Sequence, residues 1–318
     1  MNTTHIQEQR TTYSIYYRIA EHLVFVQFPI VIQHDRCLPS FVPFEVTPVE
    51  NEQATLQFQL TFDSLNEYSG QTKLLSDLSI VWGDRFRFEE SEEHYITSVS
   101  SDGVTKDWNM LSSKDFKTSI IHASEKEIYA NTVLSWLLMV SFGQAVLGDD
   151  TIMIHSSVVE KDGQGFAFLG KSGTGKSTHS RLWIKYNKGF QLLNDDNPAI
   201  RILANNKVMI YGTPWSGKTP CYRNLAVELK GIIRLNQASA NSFEKKIGTA
   251  AFITLLPSCS SIRWNRSLFA SMNNTVQRIV QLLPIGYLNC LPDAAAAVLA
   301  YQEITKKEIT TLNKIENE

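Results

Sequence analysis

The sequence predicts an α/β domain built around a phosphate-binding loop and preceded by a mostly β segment. Three observations predict it. Residues 12–120 carry short runs of alternating, β-branched and aromatic residues. Strand-like and helix-like stretches alternate after about residue 125. Gly170-Lys171-Ser172-Gly173-Thr174-Gly175-Lys176-Ser177-Thr178 stands between an apolar run and a stretch that can be helical. The expected division is 1–125 for the mostly β domain and 126–318 for the α/β domain. A chain of 318 residues suits about two domains of ordinary size. Its 43% apolar and 19% charged residues suffice to fill a core.

In the first segment, 13–19, 22–28, 55–62 and 85–88 read as strands separated by Pro, Gly, Asn and Asp. Several short strands with few helical stretches predict a sheet or sandwich. His94 and His122 stand alone there and read as structural or solvated. Residues 125–147 then read as a helix with an apolar face, stopped by Gly148-Asp149-Asp150. Residues 151–160 and 165–169 read as strands joined by the turn Lys161-Asp162-Gly163-Gln164. Beyond the glycine-rich loop come a helix from 177 to about 186, a strand over 190–193, and a hairpin of 199–203 with 207–211 turning at Asn205-Asn206. A strand at 229–235, a helix at 267–283, a strand at 286–291 and a helix at 293–304 complete the pattern.

A formal net charge of -2 gives no basic field for nucleic acid or an anionic membrane. Cys37, Cys221, Cys259 and Cys290 are far apart, without a C-x-x-C pair, which suits free thiols in a reducing cytosol. The start lacks the basic and apolar regions of a signal peptide. Apolar runs such as 133–140 are too short to span a bilayer. The expectation is a cytoplasmic protein with neither nucleic-acid nor membrane partner; a homo-oligomer stays open.

The chemistry is concentrated around residues 155–223. Gly170, Gly173 and Gly175 permit backbone conformations that bring successive N–H groups onto a polyphosphate. The N-terminus of the following helix favours the same anion. Ser172, Thr174 and Thr178 complete this nucleotide cradle, Lys176 can reach the β- and γ-phosphates, and the Ser177 hydroxyl can ligate Mg²⁺. ATP and Mg²⁺ are therefore the expected cofactors. Asn194-Asp195-Asp196-Asn197 leaves an apolar strand beside this loop, which permits a division of labour. One of Asp195 and Asp196 can join Ser177 on the metal, while the other takes the proton of an attacking hydroxyl. His155 ends a strand near the same point and can orient a carboxylate, ligate a metal, or simply be a core histidine.

Gly212-Thr213-Pro214-Trp215-Ser216-Gly217-Lys218-Thr219 matches the loop spacing a second time. Pro220 removes a donor where N–H groups should point at phosphate, Pro214 stiffens the loop, and no amphipathic helix follows. It is rejected as a second nucleotide site. The stretch 215–224 reads instead as a loop meeting the transferred phosphate or the acceptor, with Arg223, joined by Lys218, as the clamp on the γ-phosphoryl group.

From Ile152 to Leu235 these residues resemble the catalytic domain of HPr kinase/phosphorylase and, more distantly, ATP-dependent phosphoenolpyruvate carboxykinase. The likeness is carried in order by His155, the loop from Gly170 to Ser177, Leu193-Asn194-Asp195-Asp196-Asn197 and Arg223-Asn224-Leu225-Ala226-Val227. It implies a P-loop kinase domain with a mixed sheet, in which Asp195 is the base, Asp196 joins Ser177 on the metal, and Lys176, Arg223 and His155 share the site. It implies transfer of the γ-phosphoryl group of ATP to a hydroxyl, by expectation a serine, of a protein, peptide or small molecule. The alternatives are a carboxykinase-like enzyme and a nucleotide-binding protein without catalysis.

Overall fold

The computed structural model describes residues 12–63, 71–81, 84–101, 104–217 and 219–306. Lys218 therefore lies outside the described residues.

Two-residue alternation builds the first sheet. In β3 (Leu56–Thr61) the apolar residues are buried while Gln57 and Gln59 are exposed. The other strands are β1 (Thr12–Ile19), β2 (His22–Pro29), β4 (Lys73–Val81), β5 (Asp84–Glu90), β6 (His94–Ser101), β7 (Val104–Ser113) and β8 (Thr118–His122). They form one sheet in the order β1-β2-β3-β8-β7-β6-β5-β4. Its pairs are antiparallel except β2 with β3 and β3 with β8. Between β2 and β3 lie the short helix α1 (His34–Cys37) and a 3-10 turn over Pro39–Phe44.

Helix α2 (Val133–Ala145) covers this sheet. It is shorter than its apolar pattern suggests. Residues 125–130 form turns, and the Asn131 side chain accepts the Val133 N–H, so the helix starts there. Leu137, Leu138 and Phe142 of α2 share one core with Phe58, Trp108 and Met110 of the sheet. Met153, Ala199, Tyr211 and Trp215 belong to that same core, so it crosses from the first segment into the second.

The second sheet is mixed. Its strands are β9 (Thr151–Met153), β10 (Ser156–Lys161), β11 (Gln164–Leu169), β12 (Gln191–Asp196), β13 (Ala199–Ile202), β14 (Val208–Tyr211), β15 (Ala226–Gln237), β16 (Ser242–Lys246) and β17 (Ile285–Cys290). The order is β12-β10-β11-β15-β14-β13-β9, with β17 on the second half of β15 and β16 on β17. β11, β15 and β17 run parallel. Helices α4 (Gly248–Leu255) and α5 (Arg266–Leu282) cover one face, while α3 (Lys176–Tyr186) and α6 (Ala294–Thr305) cover the other. β11 is buried on both sides: Ala167 and Leu169 face the first pair of helices, and Phe166 and Phe168 face the second.

The expected continuous strand over 151–160 is broken. The His155 N–H donates to the Ser258 carbonyl at 2.7 Å and Ile154 bridges Cys259, which draws the chain from β9 to β10 at that point. β16 and α4, short elements of weak pattern, have no counterpart among the sequence expectations.

Candidate functional site

The break at His155, the exit of β11 and the end of β12 meet at one edge of the second sheet. Ser156 stands between Leu169 on one side and Asp196 on the other. The loop after Leu169 thus leaves the sheet beside the two carboxylates, with no need for a long reach. Gly173 and Gly175 take φ of +80° and +100°, which side chains with a Cβ rarely adopt. Thr174 ties the loop to itself through its N–H and hydroxyl, both on the Lys171 carbonyl. The N–H groups of Gly173 and Gly175 have no acceptor among the described residues. Gly175 caps α3, so those donors and the positive end of the helix face the same space.

Lys176 is half-buried and makes no direct ion pair among the described residues. Its Nζ lies 2.8 Å from His155 Nε2 and 3.1 Å from the Gly170 carbonyl oxygen. Burial lowers its pKa from the usual lysine value, opposed by the charges of Asp196 and Asp195 and reinforced by Arg234. A desolvated cation beside unpaired N–H groups calls for an anion. An ammonium only donates, so His155 Nε2 accepts and Nδ1 carries the proton that it gives to Asp196 Oδ1 at 2.8 Å. Asn197 holds the other oxygen of Asp196 at 3.0 Å.

The Ser177 hydroxyl donates to Asp195 Oδ1 at 2.9 Å. This pairing differs from the expected one. Asp195, and not Asp196, is the partner of Ser177, because adjacent strand residues point to opposite sides and only one can face α3. His155, Ser172, Gly173, Gly175, Lys176, Ser177, Thr178, Asp195 and Asp196 line a common cavity of about 350 Å³, together with Gly217. Gly170 supports it from behind: a Cβ there would press on Thr174 at 3.1 Å. A glycine cradle of this kind, a helix N-terminus and a carboxylate next to a serine hydroxyl fit a magnesium triphosphate. Among the described residues no group of three or more His, Cys, Asp or Glu side chains could hold a metal. A cation here would thus share its ligands between these oxygens, phosphate and water.

A second cavity of about 410 Å³ adjoins the cradle through Gly173, Thr174, Gly175 and Thr178. His179, Leu182, Leu235 and Pro292 give it apolar walls, and Gln237 reaches the carbonyls of Gly173 and Thr174 at 3.4 Å. Burial pushes His179 down to about 4, so it serves as a neutral ring packed on Phe168 and Trp183.

Arg223 is elsewhere. Its guanidinium donates to the Leu192 carbonyl at 2.6 Å and to the buried Glu160 carboxylate at 3.0 Å. Leu192 precedes Asp195 by three residues, about 10 Å along an extended strand. The expected clamp on the γ-phosphoryl group is therefore withdrawn: the arginine is committed to a buried acid. Loop 213–223 still meets the site, through the Gly217 N–H on the Asp195 carbonyl at 2.6 Å and a bridge between Ser216 and Asp196. Among the described residues no helix follows its glycine-rich part, in keeping with its rejection as a nucleotide loop.

Sequence reasoning misses Gln237 and Arg234. Arg234 stands opposite Leu169 on β15 and donates to the Thr254 carbonyl at 2.7 Å and the Ser258 hydroxyl at 3.1 Å. It pins the segment whose Ser258 carbonyl receives the His155 N–H, and so positions that histidine.

No protein-family model matches the chain, and no curated protein matches it either. Among solved structures, that of the Hpr(Ser) kinase/phosphatase from Coxiella burnetii is similar at 14% sequence identity and a TM-score of 0.29, covering 48% of this chain and 95% of that one. At this level of likeness, function rests on the geometry of the site. Among the described residues no helix is long and apolar enough to cross a membrane.

Proposed function

We propose that this protein is an ATP-dependent kinase of the HPr kinase-like kind, which moves the γ-phosphoryl group of ATP to the hydroxyl of a serine. The observation that most supports this reading is the convergence of three things in one cavity. These are an anion cradle, a desolvated lysine, and two adjacent carboxylates with different partners.

In this reading the β- and γ-phosphates lie against the N–H groups of Gly173 and Gly175, with the Lys176 ammonium between them. The nucleoside occupies the neighbouring apolar cavity. Ser177 and Asp195 would hold Mg²⁺, which when bound neutralises charge on the phosphates. Asp196, oriented by His155 and Asn197, accepts the proton as the acceptor oxygen bonds to phosphorus and the bond to the β-phosphate oxygen breaks. The sequence-based division between the two aspartates is thus reversed, on the strength of the Ser177–Asp195 hydrogen bond. The protein contributes mainly placement and electrostatics, the terms that dominate phosphoryl transfer.

The test is incubation of the full chain with γ-labelled ATP, Mg²⁺ and native lysate. Acid-stable, base-labile label on a peptide or protein is expected. ATP binding with no label transferred to any acceptor would refute catalysis.

A further inference from the structure

Loop 213–223 separates two cavities. On one side Gly217 faces the phosphate cavity. On the other side its neighbours Pro214, Trp215 and Tyr222 line a smaller cavity of about 150 Å³, closed by Leu38 and Pro39 from the first segment and by Trp136 of α2. Ser216 belongs to this second wall, while its main chain bridges Asp196 and its hydroxyl donates to the Thr219 carbonyl at 2.7 Å. The two cavities are thus one residue apart on the loop, a Cα step of about 3.8 Å.

Among the described residues that line the smaller cavity none is charged. Its floor is preformed: Trp215 is 4% exposed, packs on Phe41 and Phe142, and donates its indole N–H to the Ser135 carbonyl at 2.9 Å. A volume of about 150 Å³ suits a single six-membered ring and is well below the roughly 300–1,000 Å³ of a site for a whole small ligand. An acceptor that fills it must keep most of its length outside, running over Ser216 toward the phosphate cavity. On an extended chain, side chains on one face recur about every 6.6 Å. Cavities that meet at the adjacent loop residues Ser216 and Gly217 thus fall within about two residues of one another on such a chain.

We infer that the smaller cavity is a socket for one aromatic or large aliphatic side chain of a peptide acceptor, placed within about two residues of the serine that is phosphorylated. This inference rests on the kinase reading, and it gives the N-terminal segment a task. Leu38 and Pro39 join Trp136 of α2 in the socket wall and thereby help select the acceptor, while the second sheet binds ATP.

The experiment uses the full chain, Mg-ATP and a peptide library with a fixed central serine and three randomised residues on each side. Enrichment of Phe, Tyr, Trp or Leu at one position within two of the serine is expected. Ser135→Phe, which fills the socket from α2, should raise KM for the preferred peptide by on the order of 10–100-fold. It should leave kcat and ATP affinity near wild type and abolish the preference for the apolar residue. Equal phosphorylation of all flanking sequences overturns the socket, as does a preference that survives Ser135→Phe. Label taken only by the small-molecule fraction of lysate also overturns it and leaves the kinase reading intact. Binding of the same fluorescent peptides without ATP, read by polarisation, provides a separate arm. If the chain transfers no phosphate but binds apolar peptides in a Ser135→Phe-sensitive way, the kinase reading fails and the socket stands; without such binding both fail.

Discussion

Replacing Asp196 by asparagine tests the reversed division of labour. The side chain keeps its size, and one of its two hydrogen bonds survives. His155 Nδ1 and Asn197 Nδ2 both donate to the carboxylate, at 2.8 and 3.0 Å, and the amide can accept from only one of them. The local loss is about 1–3 kcal/mol of hydrogen bonding, too small to unfold the chain. Removing a general base costs about 10²–10⁴-fold in rate. At 1.36 kcal/mol per factor of ten this is roughly 2.7–5.4 kcal/mol of transition-state stabilisation. Initial rates of label transfer from Mg-ATP to a fixed acceptor measure it, with the ATP dissociation constant measured in parallel. Asp196→Asn should lower kcat by that range and leave ATP affinity within about threefold. Asp195→Asn should instead raise the Mg²⁺ concentration needed for half-maximal rate by roughly tenfold, because it removes one charged oxygen beside Ser177. The reasoning is refuted if Asp195→Asn loses turnover with an unchanged Mg²⁺ requirement while Asp196→Asn retains most of its rate.

Three further outcomes follow from the same structure. Lys176→Met removes a half-buried cation that has no direct ion pair, so the apo protein should melt no lower than wild type. ATP affinity should fall on the order of 10–100-fold, and the thermal shift on adding ATP should shrink accordingly. His22 is buried against the Thr151 hydroxyl, and burial pushes it down to about 3. The unfolded chain binds that proton below about pH 6.5 and the native protein does not, so stability present at pH 7 is lost as pH falls. Urea unfolding at pH 7 and 5 should show about 2 kcal/mol of this loss absent in His22→Gln. Gly212→Ala would drive a Cβ into the Arg223 carbonyl, where the two ends of loop 213–223 cross. Circular dichroism should remain native while the rate falls at least tenfold, since Gly217 and Ser216 then lose their register on Asp195 and Asp196.

The glycine-rich loop between β11 and α3 is legible in the sequence because its glycines, lysine and hydroxyls are contiguous, and the hydrogen-bond arithmetic of one strand–turn–helix is local. The hairpins at Asp162-Gly163 and Asn205-Asn206 are legible for the same reason, and Asp162, Gly163 and Asn206 take the positive φ such turns need. What escapes is set by pairing between distant strands. The partner of Ser177 depends on which face of β12 each aspartate occupies, and that follows from its register against β10. Arg223 reads as a phosphate ligand until Glu160, sixty-three positions away, is seen to hold it. Arg234 has no motif, and its place beside the site exists only because β15 pairs with β11. Helix α2 reads eight residues too long because 125–132 has helical composition but spends its polar groups on turns, with Glu127 accepting the Trp108 indole.

The central claim is that the cavity between Lys176, Asp195 and Asp196 carries a phosphoryl group from ATP to a hydroxyl. Incubating the intact chain with γ-labelled ATP and its preferred peptide, then separating phosphopeptide from inorganic phosphate, measures this most directly. The account predicts label on the peptide serine, dependent on Mg²⁺ and reduced at least a hundredfold in Asp196→Asn. Label found only as inorganic phosphate, or undiminished transfer by that variant, would contradict it.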